Sequence, residues 1–294
     1  MDADPTGGQD CTITFVGTAT VLLRLGEFAL LSDPNFVRRG QWVHIGHGLL
    51  TRRRTEPAMT IDELPPLDGL VLSHLHGDHF DRVAARELPR DLPIFTTHHA
   101  ARRLGRTGFT EPVPLPRWGR ETMTKGGARL TITSLPGKHA RGVLSAVVPP
   151  VMGTLVDYEP PVGRGLRLYL TGDTLVHDDL AAIGERFPGI DVALVHLGGT
   201  RVLGQLLTMD GPEGADLLEL LRPSKAVPIH YDDYGLFKSP LSEFEREVRR
   251  RGIAGVEHVV RGDSLALFAP GEEPGPTADP ARVTVRRRAP LGGR

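Results

Sequence analysis

Short apolar runs separated by glycine mark the beginning of the chain. Residues 12–16, 21–25 and 28–31 are rich in β-branched and other apolar side chains, and Gly17 and Gly26 lie between them. Runs of this length bounded by turn residues predict an antiparallel meander of three β-strands. The meander is predicted to end at the Ser-Asp-Pro-Asn sequence that follows.

Predicted strands and helices interleave along the rest of the chain. Apolar runs predict strands at 69–72, 94–97, 130–134, 152–158, 166–171, 192–196, 226–229, 257–260 and 265–268. Helical periodicity predicts helices from Asp81 onward and at 98–104, 177–186, 212–221 and 241–251. Clusters of strands among helices indicate two sheets enclosed by helices in one domain, residues 11–269.

Two stretches lack a regular pattern. Residues 36–60 are basic and have no clear periodicity, and they contain Trp42, His44 and His47. Because long loops without secondary structure tend to be functional, we interpret this stretch as an irregular lid over the site, with a plain surface loop as the alternative. Residues 270–294 are rich in Pro, Gly and Arg and are expected to form a disordered tail.

The composition describes a globular chain without a strong overall charge. Of the 294 residues, 39% are hydrophobic and 24% are charged, and 35 basic side chains balance 36 acidic ones. No overall field therefore attracts nucleic acid or an anionic membrane, so neither nucleic-acid binding nor stable membrane association is expected. The single cysteine, Cys11, excludes an intramolecular disulfide and a cysteine-rich zinc finger. The sequence has no signal peptide or spanning segment, so a cytoplasmic location is expected.

Four side chains of metal-binding type follow the predicted strand at 69–72. They belong to the sequence His-Leu-His-Gly-Asp-His at residues 74–79. Since alternate side chains of a strand share a side, the first two histidines point together, and the glycine turn redirects the other two ligands. In an ordinary polar loop these crowded groups would repel one another or stay unsatisfied. The segment therefore predicts four metal ligands: His74, His76, Asp78 and His79.

With this segment the chain resembles the metallo-β-lactamase superfamily. The resemblance implies an α/β fold, the αββα four-layer sandwich, and a two-metal site completed by His139, Asp173 and His230. It implies a first ion held by His74, His76 and His139, a second held by Asp78, His79 and His230, and Asp173 and a hydroxide shared by both. Nitrogen and oxygen ligands without thiolate suit two zinc ions, with manganese or iron as alternatives. Asp33, at the end of a strand, is expected to orient a ligating histidine, or to form only an Asp-Pro turn.

Four short segments of the sequence are similar to one branch of that superfamily. Residues 14–20, 31–34, 64–68 and 228–230 resemble L-ascorbate phosphate lactonases and N-acyl phosphatidylethanolamine phospholipase D. The resemblance implies hydrolysis of a phosphodiester or a lactone. Thr18 departs from this branch, which often has histidine there, so its substrate contacts are not carried over.

Other branches of the superfamily differ from this chain in particular residues or domains. The bridging carboxylate of Asp173 disfavours a true β-lactamase, and His76 disfavours a flavodiiron oxidoreductase, which has glutamate there. A glyoxalase-type thioesterase is an alternative, although its usual C-terminal helical domain is not evident. A nucleic-acid-processing metallonuclease is another, disfavoured by the near-neutral charge and by the lack of room for an inserted domain. A non-catalytic binding protein would be expected to have lost ligands, and none is lost.

Residues near the predicted ligands suggest roles in catalysis and substrate binding. Asp78 is expected to orient the hydroxide. Protonation of the leaving group is expected from a metal-bound water or from a nearby group such as Tyr231, unless Tyr231 only packs. Lys138, Arg141 and Arg201, together with glycine amides at 198–199, suit an anionic group, or are plain surface charges and a turn. We therefore expect a small anionic ester as substrate, a phosphodiester first and a lactone second.

Overall fold

The computed structural model describes residues 11–46 and 49–267. Its strands are β1 Cys11–Gly17, β2 Thr20–Leu25, β3 Phe28–Ser32, β4 Trp42–His44, β5 Leu50–Arg52, β6 Gly69–Leu72, β7 Ile94–Thr96, β8 Pro112–Pro114, β9 Arg120–Lys125, β10 Ala128–Pro136, β11 Met152–Glu159, β12 Leu166–Leu170, β13 Val192–His196, β14 Arg201–Val202, β15 Gln205–Leu206, β16 Lys225–Ile229 and β17 Ser264–Ala266. The helices are α1 Arg82–Glu87, α2 His98–Arg106, α3 Ala181–Arg186, α4 Gly211–Leu221 and α5 Leu241–Arg251. Short 3₁₀ turns lie at Ile61–Glu63, Gly142–Ala146 and Asp178–Leu180.

Two mixed sheets face each other across the main core. The first has the strand order β17-β1-β2-β3-β6-β7-β8, and the second has the order β16-β13-β12-β11-β10-β9. Side chains from both sheets, among them Phe15, Leu23, Ile132 and Leu194, meet in one buried cluster. The two sheets are therefore the inner layers of the fold.

Helices cover the outer face of each sheet. Ala84 of α1 and Leu104 of α2 pack on the first sheet, and Leu217 of α4 and Phe244 of α5 pack on the second. Each sheet is thus apolar on both faces, which explains the nearly continuous apolar runs of strands such as β6. The result is the predicted αββα sandwich of the metallo-β-lactamase fold.

The carboxyl ends of several strands meet at one edge of the sandwich. β3 and β6 are parallel in the first sheet, and β12, β13 and β16 are parallel in the second. β10 shares their direction because it and β12 are both antiparallel to β11. Loops that follow parallel strands lie at the same end, where α/β proteins place their sites. All the predicted ligands follow one of these strands.

Most predicted elements are confirmed, including the meander of β1, β2 and β3 and the exact bounds of β6, β13 and α5. The predicted strand at 257–260 is wrong, since only an isolated bridge from Val256 joins this stretch to β16. The last predicted strand corresponds to β17, and Phe268 lies outside the described residues. The predicted tail, 270–294, also lies outside them.

Two strand pairs and two edge strands, β8 and β9, were not anticipated. β4 and β5 form an antiparallel hairpin within residues 36–60, so that stretch is not irregular. β14 and β15 form a second small hairpin. β9 carries the sequence RETMTK and is largely exposed, so it lacks the apolar face that would have marked it. No helix in the described ranges is long and apolar enough to span a bilayer.

Candidate metal centre

The loop after β6 is held in a tight turn against the β4–β5 hairpin. The backbone N–H groups of His79 and Phe80 both donate to the carbonyl of His76, at 3.0 and 2.8 Å. Gly77 donates to the carbonyl of His44 at 3.0 Å, and a Cβ atom at this glycine would lie 2.6 Å from that oxygen. The turn therefore requires glycine, because any side chain would push the hairpin away.

Three histidines form the first group of candidate ligands. The Nε2 atoms of His74 and His139 lie 3.0 and 3.3 Å from Nδ1 of His76. All three side chains are buried. Tetrahedral coordination with Zn–N bonds of about 2.0–2.1 Å places ligand atoms roughly 3.3 Å apart, so this spacing fits three ligands of one ion.

Two carboxylates and two histidines form the second group, Asp78, His79, Asp173 and His230. His79 Nε2 lies 3.1 Å from Asp173 Oδ2, and His230 Nε2 lies 3.5 Å from Asp78 Oδ2. Asp173 Oδ2 is also 3.9 Å from His74 Nε2 in the first group. Its carboxylate therefore lies between the two groups, in the place expected of a shared ligand.

Backbone geometry at strand ends directs the last two ligands. Asp173 follows Gly172, whose φ of 61° and close approach to the carbonyl of Met152 both favour glycine. His230 itself has a φ of 62°, an uncommon conformation for a histidine. Its N–H donates to the carbonyl of Thr18 at 2.8 Å, and its Nδ1 atom lies 3.1 Å from the carbonyl of Leu197. These contacts orient the ring toward Asp78.

Several buried polar atoms at this centre lack a hydrogen-bond partner. Among the described residues, these atoms include Asp78 Oδ1, His79 Nε2, Asp173 Oδ1 and His230 Nε2. Buried polar atoms are normally satisfied, because leaving one unpaired costs about 1–3 kcal/mol. Such a concentration of unsatisfied nitrogen and oxygen donors fits a pair of divalent cations.

The electrostatics of the centre also suit cations. Burial lowers the pKa of His74 well below its ordinary value and that of His76 to about 3, and it lowers the pKa of His139 as well. These rings are neutral and have a free electron pair for a metal. Burial alone would lower the pKa of His79, but the charges of Asp173 and Asp33 raise it well above its ordinary value. The carboxylates of Asp78 and Asp173, whose pKa values the neighbouring histidines lower despite burial, therefore supply the negative charge with which a positive ion would pair.

A second set of polar contacts supports the ligands from behind. Asp33 Oδ1 accepts hydrogen bonds from the backbone N–H and the hydroxyl of Ser73, at 2.7 and 3.0 Å. Its Oδ2 atom lies 3.2 Å from Nδ1 of His79. This is the orienting contact to a candidate ligand that the sequence predicted for Asp33.

His196 was not recognised from the sequence as part of this support. Its ring stacks on His79 with centroids 6.0 Å apart, and Nε2 lies 3.5 Å from Asp33 Oδ2. Its Nδ1 atom lies 3.1 Å from the hydroxyl of Thr171. The available signal was its position as the last residue of β13, between two strands that each precede a candidate ligand.

A cavity of about 240 Å³ opens beside the candidate ligands. His76, Asp78, His139 and Asp173 form its polar floor. The β4–β5 hairpin forms one wall through Ile45 and Leu49, which supports the predicted covering role of this stretch. Trp42 is 56% exposed and is not among the residues that line the cavity. His47 lies outside the described residues.

The cations predicted to lie near the metals do not line this cavity. Arg141 pairs with Glu213 at 2.6 Å and Arg201 pairs with Asp210 at 3.0 Å, both in a separate surface cleft. Lys138 borders another cleft. The amide of Gly199 is also engaged, since it donates to the carbonyl of Met209 at 3.0 Å. The predicted anion site is therefore wrong, because Glu213 in helix α4 and Asp210, the residue before that helix, pair with the two arginines outside the cavity.

Tyr231 is also away from the cavity. Although it follows His230 directly, its hydroxyl lies 3.2 Å from His258 Nε2, and its ring packs against the outer core beside the helices. The structure therefore does not support the predicted role of Tyr231 as the acid for the leaving group.

Comparisons with known proteins agree with this geometry. The family model of the beta-lactamase superfamily domain matches residues 30–231. A metal-dependent hydrolase of Thermus thermophilus is 27% identical over 258 residues, which cover 87% of this chain and 98% of that protein. An N-acyl-phosphatidylethanolamine-hydrolyzing phospholipase D of Caenorhabditis elegans is 26% identical over 238 residues, covering 75% of this chain and 64% of that protein. A possible metal-dependent hydrolase from Veillonella parvula shares the fold with a TM-score of 0.73 at 21% identity, covering 87% of this chain and 99% of that one.

Proposed function

This chain belongs to the beta-lactamase superfamily, and from that premise we propose that it is a metal-dependent hydrolase that cleaves an ester bond at a two-metal centre. One observation carries the proposal. The seven candidate ligands form two adjacent buried groups, and the Asp173 carboxylate lies between them. Seven ligand side chains exceed what one tetrahedral ion needs, whereas two ions use all of them.

Zinc is the metal we propose, with manganese or iron as alternatives. The donors are imidazole nitrogens and carboxylate oxygens without a thiolate, a set that zinc accepts. When bound, two such ions lower the pKa of a water molecule toward neutrality and polarise the oxygen of the scissile bond.

The residues at the cavity floor have different roles in the proposed reaction. His76, His139 and Asp173 line the floor of the cavity, so a substrate bound in the cavity lies directly against the candidate ligands. Asp78 also faces the cavity, and its unpaired Oδ1 atom is free to accept a hydrogen bond from the attacking water. Apart from these four, the described lining residues offer only hydroxyl groups, those of Thr51, Thr200 and Thr208, as side-chain proton donors. Threonine is too weak an acid for this role, so the leaving group takes its proton from water.

A phosphodiester is the first substrate class we propose and a lactone the second. The proposal is supported by the similarity to an N-acyl-phosphatidylethanolamine-hydrolyzing phospholipase D. The four sequence segments that resemble the branch containing such phospholipases also support it. A thioester is the competing class. The reacting phosphoryl or carbonyl oxygen needs no arginine or lysine, because the ions themselves would offset its charge.

A substrate panel with matched variants tests this function. Metal-loaded protein is assayed on bis-p-nitrophenyl phosphate, p-nitrophenyl phosphate, aliphatic lactones, thioesters and a chromogenic β-lactam. We expect turnover of a phosphodiester or lactone that Asp173→Asn abolishes and that Asp62→Asn, at an exposed carboxylate, leaves unchanged. A thioester or β-lactam cleaved orders of magnitude faster than every phosphodiester and lactone would contradict the proposal.

A further inference from the structure

The walls of the cavity beside the metal centre are apolar. They consist mainly of aliphatic and aromatic side chains from four separate segments, among them Leu49, Leu144, Val148, Val202, Leu207 and Phe237. Each segment belongs to a loop, a 3₁₀ turn or a short hairpin rather than to the two main sheets. The fold thus brings apolar side chains from distant parts of the sequence to one face of the centre.

No charged side chain lies among the described residues of these walls. The only charged or ionisable lining groups are the four candidate ligands of the floor. A charged substituent placed against the walls would lose its hydration without gaining a partner, which is costly. An apolar substituent would instead be favoured, because it leaves water for an apolar surface.

The rim of the cavity continues this apolar surface to solvent. Leu49 is 40% exposed and Val147 is 51% exposed, and both line the cavity. Exposed apolar side chains that border a pocket are typical of an entrance for an apolar ligand.

We propose that this cavity binds a short, uncharged apolar group of the substrate, an alkyl or aryl group attached to the bond that is cleaved. The cavity volume of about 240 Å³ limits the group to a small one, since ligand pockets for drug-sized molecules hold roughly 300–1,000 Å³. The inference rests on the proposed function for the position of the reacting bond. It adds the specificity: the floor recognises the ester and the walls select its apolar substituent.

Binding without turnover tests the inference separately from catalysis. The fluorescent, uncharged probe N-phenyl-1-naphthylamine is bound to the protein as purified and displaced by n-alcohols from ethanol to decanol. We expect affinity to rise about fourfold per methylene, as for burial of a CH₂ group, and then to level off when the cavity is full. Hexane-1,6-diol, with a second polar end, is expected to bind at least tenfold more weakly than hexanol.

Two neighbouring lysine substitutions provide the matched comparison. Val202→Lys places an ammonium group in the cavity wall and is expected to weaken hexanol binding at least tenfold, whereas Leu203→Lys, at an exposed position outside the wall, is expected to change it less than twofold. Circular dichroism checks the fold of both variants, and Val202→Thr, which keeps the shape of valine, replaces Val202→Lys if that variant is unfolded.

The outcomes separate the inference from the proposed function. Equal binding of hexanol and hexanediol, an affinity that does not depend on chain length, or equal effects of the two substitutions would overturn the apolar site. An affinity that still rises at decanol would overturn its limited size. None of these measurements needs catalysis, so an inactive protein that binds hexanol as expected would contradict only the hydrolase function.

Discussion

The carboxylate of Asp33 lies 3.2 Å from Nδ1 of His79, on the side of the ring opposite the candidate metal site. The other ring nitrogen, Nε2, lies 3.1 Å from Asp173 Oδ2. An acceptor at Nδ1 fixes the tautomer that keeps the Nε2 electron pair free for a metal, and it raises the basicity of that nitrogen. In the proposed two-metal centre, Asp33 is therefore a positioning residue that orients His79 toward the second ion.

Asp33→Asn is expected to weaken binding of the second ion by about 10–100-fold, the usual effect of removing such a support. Calorimetric titration with zinc measures both affinities, and Glu121→Gln on the exposed edge strand β9 serves as a control. The affinity of the first ion should change much less, because none of its three histidines contacts Asp33. Two unchanged affinities would remove the positioning role.

Metal binding is expected to release protons near pH 7. The negative groups around His79 and His230 outweigh the effect of burial and raise the pKa of both rings, so the metal-free protein holds protons that a metal must displace. Metal affinity should therefore fall as the pH is lowered. Calorimetry in buffers with different ionisation enthalpies counts the protons, and a count of zero with a pH-independent affinity would refute this electrostatic description.

Tyr231→Phe is expected to retain activity within about twofold of the parent, since its hydroxyl faces His258 and not the cavity. The measurement is kcat and KM against the phosphodiester, with the pH profile of kcat. A loss of 10²-fold or more, the usual size of a general-acid contribution, together with a lost basic limb, would restore the role that the sequence predicted.

Gly77→Ala is expected to destabilise the protein by about 1–3 kcal/mol, as overpacking typically does, because its Cβ atom would lie 2.6 Å from the carbonyl of His44. Gly105→Ala in helix α2 is the control. Its Cβ atom would meet nothing within 4 Å, so a gain of up to about 1 kcal/mol from helix propensity is expected. Urea denaturation measures both free energies of unfolding, and a neutral Gly77→Ala would contradict the packing at this turn.

The parts of the fold that follow from local pattern were predictable. β6 consists of Gly69 and three apolar residues before a polar turn, and both of its bounds match the prediction. β9 was missed because an exposed edge strand has no apolar face to reveal it. Residues 257–260 look like a strand in composition, but β16 is already bridged by Val256 and offers them no continuous ladder.

The candidate ligands were predictable from the sequence to a greater extent than the residues that surround the substrate cavity. The six-residue segment after β6 predicts four candidate ligands by itself, and His139, Asp173 and His230 were reached through the family pattern at strand ends. The positions of the arginines were not predictable, because their acidic partners Asp210 and Glu213 lie at the start of helix α4, where only folding brings them together. The apolar cavity was also hidden, since its walls come from loops that meet only in the folded protein.

The metal content of the purified protein tests the two-metal centre most directly. The full chain is reconstituted with zinc, freed of excess metal and analysed by elemental mass spectrometry beside the Asp173→Asn and Asp62→Asn variants. The account predicts about two zinc ions per chain for the parent and for Asp62→Asn, and fewer for Asp173→Asn, which loses the carboxylate between the two groups. A parent that retains no transition metal, or an Asp173→Asn variant that retains the full two ions, would contradict it.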